Sequence, residues 1–245
     1  VNCKVIGGYD FVNDDANPMD DNGHGTHTAG IAAGIINNSI GIVGVCPNCK
    51  ILAVKFLDSS GSGTLADSIS AVNYAIENGA RVLSNSWGSP NGDPIMQELI
   101  YWGRSLGVAV VASAGNSNND WYNFPAAYDG VVSVAATDFN DKKASYSSFG
   151  STVDISAPGG EVDRTGTCLF PEDKSILSLG TNGELWNYYG SRCGKEINGA
   201  KYIPLAGTSM AAPHVSGTIG LLLSKTPYFS INEVENLLKY SADNI

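Results

Sequence analysis

Apolar positions along the chain fall into short continuous runs separated by stretches of helical spacing. Lys50 to Leu57 (KILAVKFL), Val108 to Ser113 (VAVVAS) and Val131 to Ala136 are nearly unbroken apolar runs. Such runs mark strands of a parallel sheet covered on both faces. Cys3 to Ile6, Arg81 to Ser86 and Val153 to Ala157 read as shorter strands. Between them, Leu65, Ile69, Val72 and Ile76 recur at helical spacing, which predicts an amphipathic helix over Thr64 to Asn78 closed by Gly79. Ile95 to Ser105, ended by Gly107, and Ile231 to Ser241 read the same way. Two stretches rich in small residues, His24 to Ile36 and Met210 to Lys225, read as buried helices.

Alternating strands and helices predict an α/β fold, a doubly wound, mainly parallel sheet flanked by helices. In such sheets, sites form at the carboxyl ends of the strands. Residues 159–202 show the least periodicity and read as a long surface insertion in a single domain, 1–245.

Composition narrows the class. The chain has 245 residues, 43% hydrophobic and 16% charged, with 29 glycines, which suits a compact fold rich in turns. Asp and Glu outnumber Lys and Arg by 24 to 14, a net charge of −10. That balance disfavours nucleic acid and anionic membranes as partners. No apolar run approaches the ~20 residues of a membrane span. The first residues, VNCKVIGG, lack the apolar region of a signal peptide.

The five cysteines leave at least one unpaired within the chain. Cys168 and Cys193 bracket a polar stretch and read as a disulfide stapling a surface loop. Cys46-Pro-Asn-Cys49 lacks the context of a redox or zinc motif, so it reads as a short disulfide or two free thiols. Disulfides point to an oxidising, extracellular compartment.

Three segments carry candidate chemistry. In Asp21-Asn-Gly-His24-Gly-Thr-His27, glycines on both sides of His24 allow a tight turn into a helix, with the imidazole at its start. Read alone, the pair is a buried or capping couple, a catalytic base, or a metal-binding pair. In Gly207-Thr-Ser209-Met-Ala-Ala-Pro213-His214, Ser209 opens the apolar helix among small residues, where a developing anion is favoured. A serine there is otherwise an N-cap. Pro213 is placed near the first turn, and His214 reads as a core residue or a support to the site. In Ser113-Ala-Gly115-Asn116, Asn116 leaves an apolar strand and is either a turn residue or an oxyanion donor.

Together and in this order, HGTH, SAGN and GTSMAAPHVSG resemble the subtilisin-like serine peptidases, over most of the chain. The resemblance implies peptide hydrolysis, with His24 as base, Ser209 as nucleophile and Asn116 as oxyanion donor. It implies that Ser86, Trp87 and Gly88 pair with the substrate backbone. Ser113, Ala114 and Gly115 would wall the main specificity pocket, with room for a large apolar or aromatic side chain. Residues 36–42 resemble the family's calcium loop, whose ligands here would be Asn38 and the carbonyls of Ile36, Ile40 and Ile42, all oxygens as Ca²⁺ prefers. The family's charged ligand near the chain start falls on Asn2. Substrates would be proteins or peptides, and the expected form is a secreted monomer.

The chain departs from the family at the triad aspartate, which relatives carry on an upstream strand before a small residue and Gly. Asp10, Asp14, Asp15, Asp20 and Asp21 all lack that context, and Asp21 is expected to point to solvent. The expectation is a fragment cut at both ends. A catalytically silent binding module is the alternative, and a zinc hydrolase using His24 and His27 comes third.

Overall fold

The protein is described by a computed structural model over residues 4–244. Parallel strands and helices alternate as far as β4, and two further strands follow without a helix: β1 Val5–Asp10, α1 His24–Ala33, β2 Ile51–Lys55, α2 Leu65–Glu77, β3 Val82–Asn85, α3 Pro94–Ser105, β4 Ala109–Ser113, β5 Val132–Thr137 and β6 Ile155–Pro158. After β6 come β7 Ile176–Leu179, a π-helical turn Trp186–Gly190, α4 Ser191–Cys193, β8 Lys195–Ile197 and β9 Ala200–Leu205. The chain closes with α5 Thr208–Lys225 and α6 Ile231–Ser241.

Local chemistry accounts for the helix ends. Thr64 caps α2 by accepting from the Asp67 amide, and Gly79 leaves it at φ 78°. Asp93 caps α3 at the amides of Ile95 and Met96, ahead of Pro94. Ser230 and Glu233 form a reciprocal capping box on α6.

β3, β4, β5 and β6 form one four-stranded parallel sheet in sequence order. β4 shows why its sequence is a continuous apolar run. Ala109 and Val111 pack with Val215 and Ile219 of α5 and Val234 and Leu238 of α6. Val110 and Ala112 point the other way, into Val72 and Ile76 of α2 and Met96 and Ile100 of α3. All five residues of β4 and all six of β5 are buried. The doubly wound reading therefore holds.

The parallel strands do not form one ladder, however. β1 and β2 pair as a separate parallel couple. Leu52 and Val54 of β2 share the α2–α3 core with Leu83 of β3. No ladder joins β2 to β3 among the described residues, and each residue of β2 is only half-buried.

The insertion 159–202 is less superficial than its sequence implies. β7, β9 and β8 make an antiparallel sheet. Tyr202, Ile203 and Ser178 are buried. Ile203 and Leu205 form a third small core with Ile31 of α1 and Met210 of α5, joined by Phe170, Ile176, Leu185 and Tyr189. Its sequence is aperiodic because these contacts come from turns as well as strands. The Cys168–Cys193 disulfide staples it, as expected. Cys46 and Cys49 are also bonded and sit against Gly220 of α5. Cys3 and Asn2 lie outside the described residues.

Candidate active site

The carboxyl ends of β3 and β4 deliver Ser86 and Ala114 to the start of α5. Ser209, the second residue of α5, meets Ser86 twice. The Ser86 hydroxyl donates to the Ser209 carbonyl at 2.8 Å, and the Ser209 hydroxyl donates to the Ser86 carbonyl at 3.3 Å. Pro213 explains the first bond. It lies one turn into the helix, not in the first turn as expected. Lacking an N–H, it leaves the carbonyl four residues back, that of Ser209, without a helical donor. The Ser86 hydroxyl takes that place.

Asn116 is fixed from one end only. Its Oδ1 accepts from the Thr208 amide and the Thr208 hydroxyl, both at 2.9 Å. Its Nδ2 has no partner among the described residues, and it lies 3.5 Å from where a Cβ on Gly207 would stand. The Thr208 hydroxyl also accepts from the Gly115 amide at 3.2 Å. One threonine thus ties the turn after β4 to the start of α5.

His24 opens α1. No side chain caps the helix from the residue just before it, Gly23, which has φ 109°. The cap comes from Asp20. Its Oδ1 accepts from the amides of Asn22 (3.0 Å) and Gly23 (2.7 Å), and its Oδ2 accepts from the amide (2.8 Å) and hydroxyl (2.7 Å) of Thr26. Burial pushes the Asp20 carboxyl up, but these bonds outweigh it and hold it below the ordinary range. Burial also lowers the His24 pKa, opposed by the negative charge of Asp20.

His27 and His214 do other work. His27 is fully buried, with Nε2 against the Ile203 carbonyl at 2.9 Å and Nδ1 without a partner among the described residues. Burial pushes its pKa down to about 3. His214 turns Nδ1 back to the Met210 carbonyl of its own helix at 2.8 Å, in keeping with a supporting residue. No group of three or more His, Cys, Asp or Glu among the described residues is placed to hold a metal, so His24 and His27 gain no third ligand.

The remaining aspartates are committed elsewhere. Asp10 is buried and accepts from the amides of Val12 and Asn13 and from Lys55 Nζ at 2.9 Å. Asp21 is half-exposed, 3.5 Å from the same Lys55. No carboxylate is hydrogen-bonded to the His24 side chain among the described residues.

The expected substrate segments flank Ser209. Trp87 donates to Asn85 Oδ1 at 3.1 Å and meets Phe56 edge to face, with centroids 5.0 Å apart. Asn123, which sequence reasoning missed, lies between the two walls. Its Nδ2 donates to the Ser113 carbonyl at 3.1 Å. A Cβ on Gly88 would fall 2.4 Å from its Oδ1, and one on Gly115 would fall 3.5 Å from its Nδ2. The Asn123 amide therefore lies between Gly88 and Gly115, and glycine at 88 is what admits it. Nothing nearby in sequence marks Asn123.

The loop of residues 36–42 is exposed up to Gly41 and half-buried at Ile42, and it alternates left-handed residues Asn37, Ser39 and Gly41. Its oxygens suit a hard cation in type. All are neutral, and Asn38 Oδ1 accepts from the Ile40 amide at 3.1 Å.

Comparison with known proteins finds relatives along nearly the whole chain. A family model described as "Subtilase family" matches residues 2–245. Thermitase of Thermoactinomyces vulgaris is 40% identical over 242 residues, covering 99% of this chain and 75% of thermitase. A thermophilic serine proteinase of Bacillus sp. (strain AK1) is 38% identical over 99% of this chain and 52% of its own length. The chain thus spans three quarters of the first and about half of the second. Among solved structures, a cold adapted subtilisin-like serine proteinase matches with TM-score 0.78 and 31% identity, over 98% of this chain and 75% of that one.

Proposed function

The chain belongs to the subtilase family, and from that premise we propose that it is a serine endopeptidase, with Ser209 as nucleophile and His24 as general base. Neutral His24 takes the Ser209 proton as the hydroxyl attacks a peptide carbonyl. The free Asn116 Nδ2 and the Ser209 amide donate to the oxyanion. The acyl-enzyme is then hydrolysed by a water that His24 activates. The observation that carries this reading is the half-used Asn116, held rigidly through Oδ1 with its donor end unspent beside Ser209.

Ser86, Trp87 and Gly88 pair with the substrate backbone. Ser113, Ala114 and Gly115 wall the pocket for the side chain before the cleaved bond. The protein works outside the cell as a monomer on protein or peptide substrates. Its two disulfides support the extracellular setting, and no helix among the described residues is long and apolar enough to cross a membrane. A calcium ion held by Asn38 and the carbonyls of Ile36, Ile40 and Ile42 would brace the loop and supply nothing to the chemistry. Adding Ca²⁺ should raise the melting temperature, with EGTA reversing the rise.

One observation favours a second reading, a silent binding module. His24 has no carboxylate partner among the described residues, and the Ser209 hydroxyl is turned to Ser86. An unsupported Ser–His pair loses about four orders of magnitude in turnover, yet the serine stays more nucleophilic than its neighbours. Incubation with a fluorophosphonate, followed by peptide mass mapping, separates the two. Labelling confined to Ser209, absent in Ser209→Ala and rising with pH as His24 deprotonates below ~6.5, supports the peptidase. An unlabelled Ser209 supports the silent module.

A further inference from the structure

The turn Thr181–Leu185 of the insertion lies backbone to backbone on Asp21–Gly23, the lead into His24. The Glu184 amide donates to the Asp21 carbonyl at 3.2 Å, and the Leu185 amide donates to the Asn22 carbonyl at 2.9 Å. Gly183 makes this approach possible. A Cβ there would stand 2.5 Å from the Asp21 carbonyl oxygen and 2.6 Å from the Asn22 carbonyl carbon, closer than side-chain carbons come to backbone. From the other side, a Cβ on Gly23 would stand 3.1 Å from Thr181 Oγ1 and 3.6 Å from Leu185 Cβ. Two glycines, one on each segment, let the chains meet.

The turn is anchored on both catalytic helices. Leu185 packs on the core of Ile31, Ile203, Leu205 and Met210. Ile31 lies on the helix of His24, and Met210 follows Ser209. Just before the turn, the Ser178 hydroxyl donates to the His27 carbonyl at 2.8 Å, and the Cys168–Cys193 disulfide closes the insertion around it.

We propose that the turn Thr181–Leu185 is a positioning element for His24, seated through Gly183, which sets where the imidazole stands relative to Ser209 and keeps water from its lead-in. The geometry stands without the peptidase reading; only the catalytic consequence rests on it.

The test replaces Gly183 with Ala in the whole chain. The added methyl lifts the turn from the carbonyls of Asp21 and Asn22. The ionisable groups around His24 and its lead-in keep their sequence: Asp20 and His27, which act on it or on which it acts, Asp21 with its partner Lys55, and Glu184 of the turn itself. His24 is titrated by NMR at its Cε1–H, and the rate of fluorophosphonate labelling at Ser209 is measured alongside. The His24 pKa should rise towards its ordinary value as water enters, and labelling should slow at least ~10-fold, as a base displaced by a fraction of an ångström requires. Leu185→Ala, which keeps both backbone bonds and removes the packing of the turn on the core of Ile31, Ile203, Leu205 and Met210, should move both readouts the same way by less. Unchanged titration and labelling in the folded variants would overturn the proposal. A shifted His24 in a protein whose native Ser209 never labels would uphold the positioning role and sink the peptidase reading.

Discussion

α5 buries ten of its 18 residues, and α1 buries four of its ten. The difference runs through to the side chains at their ends. Ser209 sits on a helix wedged between the sheet and α6, and its neighbours Thr208, Met210, Ala211 and Ala212 are all buried. His24 sits on a short helix whose start depends on one carboxylate, Asp20, and on a turn from the insertion. Apolar packing seats Ser209, whereas polar and backbone contacts seat His24. Packing is indifferent to pH and costly to disturb in many small ways. Polar seating is concentrated in few groups and responds to their ionisation.

The comparison breaks most visibly in acid. His27, on α1, has its folded pKa pushed down to about 3, against ~6.5 unfolded. Because the folded value is depressed, the unfolded chain takes up the proton first. The stability tied to a neutral His27 is complete above ~6.5 and is lost as pH falls towards the folded value, on the order of 5 kcal/mol in all. Urea midpoints at mildly acidic pH should fall steeply below those at neutrality, and His27→Gln should flatten that slope more than His214→Gln on α5. Equal flattening by the two would erase the distinction between the helices.

Asn116→Ala tests the Ser209 side and, with it, the proposed peptidase. Turnover should fall ~10²–10³-fold with little change in KM; that range is the one found for the matching asparagine of a subtilisin, a member of this same family, and is carried over from it. Loss of both Thr208 bonds should also lower the melting temperature.

Asp20→Ala is the smaller counterpart on the His24 side. Removing a cap of four hydrogen bonds should cost ~1–2 kcal/mol. The carboxyl is held low in the folded protein, so its stabilisation is present above ~3.9 and is lost as pH falls through the folded value. The variant should therefore resemble the native protein most closely at the acid end. Without the nearby negative charge, His24 should titrate at a lower pH than in the native protein, which NMR reads directly.

The Ser209 side is legible in the sequence because its determinants are local. Gly-Thr-Ser before an apolar helix, and Ser-Ala-Gly-Asn after an apolar strand, each place a group on a known element end. The lead-in to His24 is less so. Asp20 lacks a strand context, yet an acid just before a helix start is itself a capping signal. The docking of residues 181–185 leaves no periodic trace, since it runs through backbone groups that every residue has. Asn123 escapes for a related reason, because its place is set by Gly88, distant in sequence, together with Gly115. The apolar runs mark where strands lie but not the break between β2 and β3, because such a run specifies burial and not which neighbour supplies the hydrogen bonds.

That break has a consequence for how the molecule breathes. β4 is bonded on both sides and sealed on both faces, so its amides should exchange with solvent deuterium only when the whole domain opens. β2 has a partner on one side only among the described residues and is half-wetted along its length. Its amides that lack a ladder partner should exchange orders of magnitude faster.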